Sequence, residues 1–158
     1  MSSTPRALCL AKVLRPTLHE DVRGWLFEIA SARAPFKVRQ LYAVGVAPGQ
    51  TRGEHFHKRK TELFAVVSGV CLLRLMAYGR QCEYIALGPA GGDALAVVIP
   101  PGIWHAFTND AGADGDAVVI AAADEYYDPE DEDTFRETPT DYVSQLIPDF
   151  TSGGYWDG

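Results

Sequence analysis

Residues 49–69 read GQTRGEHFHKRKTELFAVVSG, and residues 100–109 read PPGIWHAFTN. In the first stretch His55 and His57 flank one residue. On an extended strand, positions i and i+2 point to the same face, so both imidazoles enter one cavity. In the second stretch Pro101-Gly102 shapes a turn that delivers Trp104 and His105 to the next strand. Three of the four histidines therefore fall where a small barrel can gather them.

Around these stretches, short apolar or alternating runs recur between Gly, Pro and Asp: Leu8–Val13, Trp25–Ile29, Val38–Val46, Leu63–Val67, Val70–Met76, Cys82–Leu87, Leu95–Ile99 and Ala117–Ala122. This spacing predicts an all-β antiparallel sandwich or barrel. Ser68-Gly69 between two β-branched runs predicts a tight hairpin, and Gly91-Gly92-Asp93 a loop. Asp128-Pro129-Glu130 has the N-cap, first helical proline and first-turn acid of a helix start, predicting a short C-terminal helix over 129–136. A second is expected over Tyr142–Leu146. The expected organisation is one domain over 1–148 followed by a tail, 149–158.

Hydrophobic residues make up 47% of the 158 and charged ones 22%, which suits a single soluble globular domain. No stretch approaches the ~18 apolar residues of a membrane span, and no signal-peptide pattern opens the chain, so a cytoplasmic location is expected. A net charge of −7 disfavours nucleic acid and anionic membranes as partners. Charge is nonetheless uneven: residues 124–133, DEYYDPEDED, carry seven carboxylates, while Arg52, Lys58, Arg59 and Lys60 make a basic segment fit for an anionic small molecule. The acidic run reads as a solvated face. Cys9, Cys71 and Cys82 are odd in number and lack CxxC spacing, which points to neither a disulfide framework nor a zinc site.

Gly49, His55, His57, Glu62 and Gly69 match the first cupin motif in full, and Pro100-Pro101-Gly102, His105 and Asn109 match the second, with Ala94 where its leading glycine usually falls. The resemblance implies a cupin double-stranded β-helix, or jelly roll. Cupins commonly hold a divalent metal through the residues corresponding to His55, His57, Glu62 and His105, and three imidazoles with one carboxylate suit such an ion. Other segments resemble a metal-free branch. Asp21-Val22-Arg23-Gly24-Trp25-Leu26, Arg52-Gly53-Glu54-His55-Phe56-His57-Lys58 and Asp124-Glu125-Tyr126-Tyr127-Asp128 are similar to segments of the dTDP-4-keto-6-deoxyglucose 3,4-ketoisomerases. Those enzymes usually carry Gln at the position of Glu62.

That resemblance implies an enzyme, a nucleotide-sugar ketoisomerase of deoxysugar biosynthesis, moving a ketone from C4 to C3 through an enediolate. His55 and His57 are the implied catalytic residues, with His57 as the C3 base and no metal or cofactor. Imidazole suits this because its ordinary pKa lies near 6.5. Arg23, Tyr42, Arg52, Glu62, Trp104 and His105 are the implied substrate-binding residues, with Arg39 a weaker candidate. Arginines would hold the diphosphate, Trp104 would stack on the base, and a homodimer is expected.

Three alternatives stand beside this. A dTDP-4-keto-sugar 3- or 3,5-epimerase is disfavoured because the lysine and tyrosine of that family align with Glu62 and Ala121. A metal-dependent cupin, a dioxygenase or sugar isomerase, would use His55, His57, Glu62 and His105. A cupin that only binds a sugar as a sensor is the third.

Overall fold

The computed structural model describes residues 8–29, 36–77 and 82–137. Its elements are all strands: β1 (Lys12–Leu14), β2 (His19–Asp21), β3 (Gly24–Leu26), β4 (Gln40–Val46), β5 (Thr51–His55), β6 (Glu62–Ser68), β7 (Cys71–Met76), β8 (Glu83–Leu87), β9 (Ala96–Ile99), β10 (Trp104–Asn109) and β11 (Ala117–Ala123). Among the described residues no helix is long and apolar enough to cross a membrane.

Two antiparallel sheets face each other, one in the order β1-β9-β6-β11-β4 and the other β5-β10-β7-β8, with β2 and β3 as a separate hairpin. From β4 onward, strands consecutive in the chain mostly lie in opposite sheets or cross between neighbours, which is the jelly-roll winding of a cupin. Each sheet turns one face inward. In β7, Cys71, Leu73 and Leu75 are buried while Leu72 is exposed, the period of two that a half-covered strand requires. These residues meet Val46, Phe64, Val66, Val97, Ile99, Phe107 and Val119 in one core.

The strand β6 is buried on both faces. Its inward residues Phe64 and Val66 join that core, while Leu63 and Ala65 are covered from outside by Phe27, Leu14 and Ile29. Covering this outer face is what the Trp25–Ile29 run does, beyond the three residues of β3.

The structure corrects two turn readings. Ser68-Gly69 is not a hairpin: β6 and β7 lie in different sheets, and the turn carries the chain across the sandwich. Gly69 has φ 71°, and a Cβ there would lie 3.1 Å from the Ala117 Cα. The close approach of β11, as much as the turn, requires glycine. The expected helix over 129–136 is also absent. After a turn at Pro129-Glu130 the chain is extended, and Phe135 pairs with Phe56 in an isolated antiparallel bridge. Local helix-start chemistry loses here to hydrogen bonds made by Asp133. The expected helix at Tyr142–Leu146 and the tail lie outside the described residues.

Candidate active site

The site forms where both sheets contribute inward side chains at one end of the sandwich. His55 ends β5 and is the direct partner of His105 on β10. Between His105 and Ala106 the register shifts, because Ala106 opposes Gly53 and leaves Glu54 as an extra residue. This is a β-bulge. Gly53 has φ 94° and Glu54 φ 58°, and a Cβ on Gly53 would lie 2.8 Å from the His105 carbonyl oxygen. The bulge turns His55 toward His57 and His105, a common use of bulges beside active sites. The ring centroids lie 4.8 Å apart for His55–His57, 4.9 Å for His55–His105 and 5.8 Å for His57–His105.

The opposite sheet supplies Tyr42 from β4 and Glu62 from β6. Tyr42 donates its hydroxyl to Glu62 Oε1 at 2.8 Å. Glu62 Oε2 then faces His57 Nε2 at 3.1 Å and His105 Nε2 at 3.3 Å. One potential ligand atom from each of His55, His57, Glu62 and His105 falls within 4.8 Å of the others.

The outer nitrogens of two rings decide their tautomers. His57 Nδ1 faces the Asp133 carbonyl oxygen, and His105 Nδ1 lies 3.0 Å from the Ile103 carbonyl oxygen. A carbonyl only accepts, so each Nδ1 carries the hydrogen and each neutral ring presents a bare Nε2 lone pair to Glu62. His57 Nε2, His105 Nε2, Glu62 Oε2 and His55 Nδ1 are buried without an aligned hydrogen-bond partner. Converging acceptors of this kind require a positive group among them, either a proton or a cation.

The electrostatics follow. Burial opposes charge on both Glu62 and His57. The close approach of His105 and His57 nevertheless holds Glu62 well below its ordinary value, and the approach of Glu62 holds His57 above its own. His55 moves the other way: burial, then repulsion from His105 and His57, pushes it down to about 3. Burial and then the Glu62 carboxylate raise the Tyr42 hydroxyl far above its ordinary range. The site therefore separates a neutral imidazole, His55, from an imidazole that favours its proton, His57.

A cavity of about 360 Å³ opens onto this cluster, within the usual range for small-molecule sites. Tyr42, Arg52, Glu54, His55, His105 and Arg136 line it, with Phe64 and Phe107 at its apolar wall. His57 and Glu62 are buried behind that lining.

Of the residues expected from sequence, the structure thus brings Tyr42, Arg52, Glu62, His55, His57 and His105 together. Trp104 does not join them. Adjacent residues on a strand point to opposite faces, so an inward His105 sends Trp104 outward. It packs there with Phe56 and Ala106, and the Arg74 guanidinium lies 4.7 Å from its ring centroid. Arg23 is also elsewhere, at the turn of the β2–β3 hairpin, with its side chain 85% exposed and paired to Asp21. Asp21 accepts from both the backbone and the side chain of Arg23, which fixes the arginine to its own turn. Arg39 lines a separate acidic cleft with Arg59, Asp124, Glu125 and Asp131.

Two residues of the site escaped sequence reading. Arg136 sits beyond both motifs and reaches the cavity because residues 133–136 lie against His57 and Phe56. Asp133 belonged to a carboxylate run read as solvated, yet it is 1% exposed. Its signal, an acid four residues after the turn at Pro129, is too weak to distinguish it from its neighbours.

The sequence profile of the polysaccharide biosynthesis C-terminal domain matches residues 19–135. The chain belongs to that family. A curated relative, UDP-2-acetamido-2,6-beta-L-arabino-hexul-4-ose reductase of Pseudomonas aeruginosa, is 33% identical over 118 residues, covering 75% of this chain but 30% of the relative. The capsular polysaccharide assembling protein CapF of Staphylococcus aureus is 29% identical with a TM-score of 0.56, over 76% of this chain and 33% of CapF. This member of the polysaccharide biosynthesis C-terminal domain family thus spans about a third of the length of those relatives. The sugar 3,4-ketoisomerase QdtA of Thermoanaerobacterium thermosaccharolyticum, solved with TDP, superposes with a TM-score of 0.70 at 23% identity, covering 89% of this chain and 96% of QdtA. That likeness establishes a shared fold, the cupin-type jelly roll expected from the two motifs.

Proposed function

We propose that this chain is a nucleotide-sugar isomerase that removes the proton on C3 of a nucleoside-diphosphate-linked 4-keto-6-deoxyhexose and, by returning it at C4, moves the ketone to C3. The observation that carries this reading is the cavity itself. It exposes a neutral imidazole, His55, beside the hydroxyl of Tyr42, with two arginines, Arg52 and Arg136, in the same lining.

A C4 ketone acidifies the C3 proton, and a base within hydrogen-bond reach can take it to leave an enediolate across C3 and C4. His55 is the proposed base, in place of the His57 expected from sequence, because His55 lines the cavity and His57 does not. Kept neutral by its surroundings, its ring is free to accept the proton, and its conjugate acid returns it readily at C4. Proton shuffling between the two oxygens completes the transfer. His57 bears the proton that neutralises the converging acceptors, so Glu62 stays ionised and His105 stays oriented. Arg52 and Arg136 would hold the diphosphate, for which a guanidinium fork is well shaped. The named chemistry of the relatives supports the substrate class: the Pseudomonas aeruginosa enzyme is named for a UDP-linked hexul-4-ose, and a mutant of QdtA has been solved with TDP-4-keto-6-deoxyglucose.

A second reading keeps the substrate and adds a cation. His55, His57, Glu62 and His105 fit one, since their unpartnered atoms converge as acceptors and carbonyl oxygens hold the outer nitrogens of His57 and His105. A divalent ion there would polarise the sugar ketone and stabilise negative charge on the enediolate oxygens. Return of the proton to the opposite face of C3 would make the same site an epimerase.

Incubation with dTDP-4-keto-6-deoxyglucose in D₂O, followed by NMR with and without EDTA, tests these readings. A 3-keto product that forms equally with EDTA is the expected result, with deuterium at C4 only to the extent that the His55 proton exchanges with solvent before it is returned. Loss of turnover with EDTA and its restoration by one metal would replace the first reading by the second. Binding with neither product nor C3 exchange would leave a sensor.

A further inference from the structure

Asp133 lies in an acidic run, yet neither carboxylate oxygen faces water. Oδ1 accepts the backbone N–H of Lys58 at 2.9 Å, and Oδ2 accepts those of Arg59 at 2.9 Å and Lys60 at 3.1 Å. Three successive amides thus close around one buried carboxylate, a concave anion site of the kind turns build, here filled from within the chain. These amides begin directly after His57.

The backbone of the same residue turns to His57. The Asp133 carbonyl oxygen accepts His57 Nδ1–H. Two residues on, Phe135 exchanges backbone hydrogen bonds with Phe56, at 2.9 and 3.0 Å, and the two rings stack at 5.4 Å. The segment thus grips the histidine loop on both sides of His57.

We infer that Asp133 is a positioning residue: its carboxylate clamps the loop at 58–60 so that its own carbonyl fixes His57 as the Nδ1–H tautomer, aiming Nε2 at Glu62. What His57 then does rests on the function proposed above, whereas the tautomer does not. His105 provides an internal control, because its Nδ1 is held by Ile103, two residues away on its own strand approach, without help from Asp133.

Asparagine is the informative substitution. Its amide nitrogen would face N–H groups that need an acceptor, leaving at least one of the three unsatisfied. Long-range ¹H–¹⁵N spectra of the histidine rings, recorded on the full chain after dialysis against EDTA, give the readout. At a pH high enough to neutralise His57, whose proton is held above its ordinary value, the wild type is expected to show only the Nδ1–H form for both His57 and His105. In Asp133→Asn, His57 is expected to become a mixture in which the Nε2–H form is at least a third, while His105 keeps its wild-type pattern.

An unchanged His57, or equal changes in His57 and His105, would overturn the inference. If the variant does not fold, the wild type still decides: the amides of 58–60 should exchange with solvent at least 100-fold more slowly than free amides. Exchange at the free rate would sink the clamp. Neither measurement uses a sugar, so an incorrect substrate assignment leaves both intact.

Discussion

Tyr42 gives its hydroxyl hydrogen to Glu62 Oε1 at 2.8 Å, and that bond leaves Oε2 as the oxygen turned toward His57 and His105. Removing the hydroxyl strands a buried acceptor and frees the carboxylate to rotate. Tyr42→Phe is therefore expected to lower stability by about 1–3 kcal/mol, the usual cost of an orphaned buried group. Urea unfolding measures this, and a loss below about 0.5 kcal/mol would mean that water satisfies Oε1.

Acid should unfold this protein through His55 before the carboxylates matter. An imidazole in the unfolded chain titrates near 6.5, whereas His55 in the folded state is pushed down to about 3. Between those values the unfolded chain binds a proton that the native state refuses, so stability falls as pH falls, by up to about 1.4 kcal/mol per pH unit. Glu62, depressed in the native state, adds loss of the same sign only below about 4.5, as the pH approaches its folded value. His57, raised, contributes stability that is fully present below 6.5 and lost as pH rises through its folded value. The window from 6.5 to 4.5 thus isolates His55. In His55→Gln, urea midpoints across that window should be flatter than in wild type, and an unchanged slope would contradict the assignment.

The bulge makes opposite predictions for neighbouring residues. Gly53→Ala places a Cβ against the His105 carbonyl at a backbone angle that L side chains avoid, and should cost at least about 1–3 kcal/mol. Glu54 has a positive φ without being glycine. Glu54→Gly relieves that strain while loosening the unfolded chain, so stability should change by less than about 1 kcal/mol. Thermal or urea unfolding of both variants checks the contrast.

Nucleotide binding should depend on the arginines that share the cavity. Arg52→Ala and Arg136→Ala are each expected to weaken dTDP about 10-fold, a little over 1 kcal/mol, when measured by calorimetry at fixed salt. Arg23→Ala should bind like wild type, because Arg23 is tied to Asp21 on an exposed turn. A weak Arg23 variant beside a normal Arg136 variant would reverse this map.

What could be read from the chain was whatever repeats at short range. The two-residue spacing of His55 and His57 placed both rings in one cluster, although only His55 reaches the cavity, and alternating runs located most strands. The same alternation, applied to Trp104 and His105, already forbids both from facing inward. Readings failed where a distant partner decided the outcome. Ser68-Gly69 has hairpin chemistry, but the strands it joins pair with β11, β9, β10 and β8 instead of each other. Pro129-Glu130 has helix-start chemistry, but Asp133 gains three buried amide donors by staying extended. Arg136 enters the cavity only through that same extension.

The clamp at Asp133 has a consequence for assembly in time. His57 and the residue that orients it are 76 positions apart, so a chain emerging from the ribosome must complete most of the jelly roll before this histidine has its partner. Loops of that length close late, after the strands between them have paired. A nascent or C-terminally clipped chain ending before Asp133 would hold every residue of both cupin motifs and still lack a set His57. The site is thereby left incomplete until the barrel has closed.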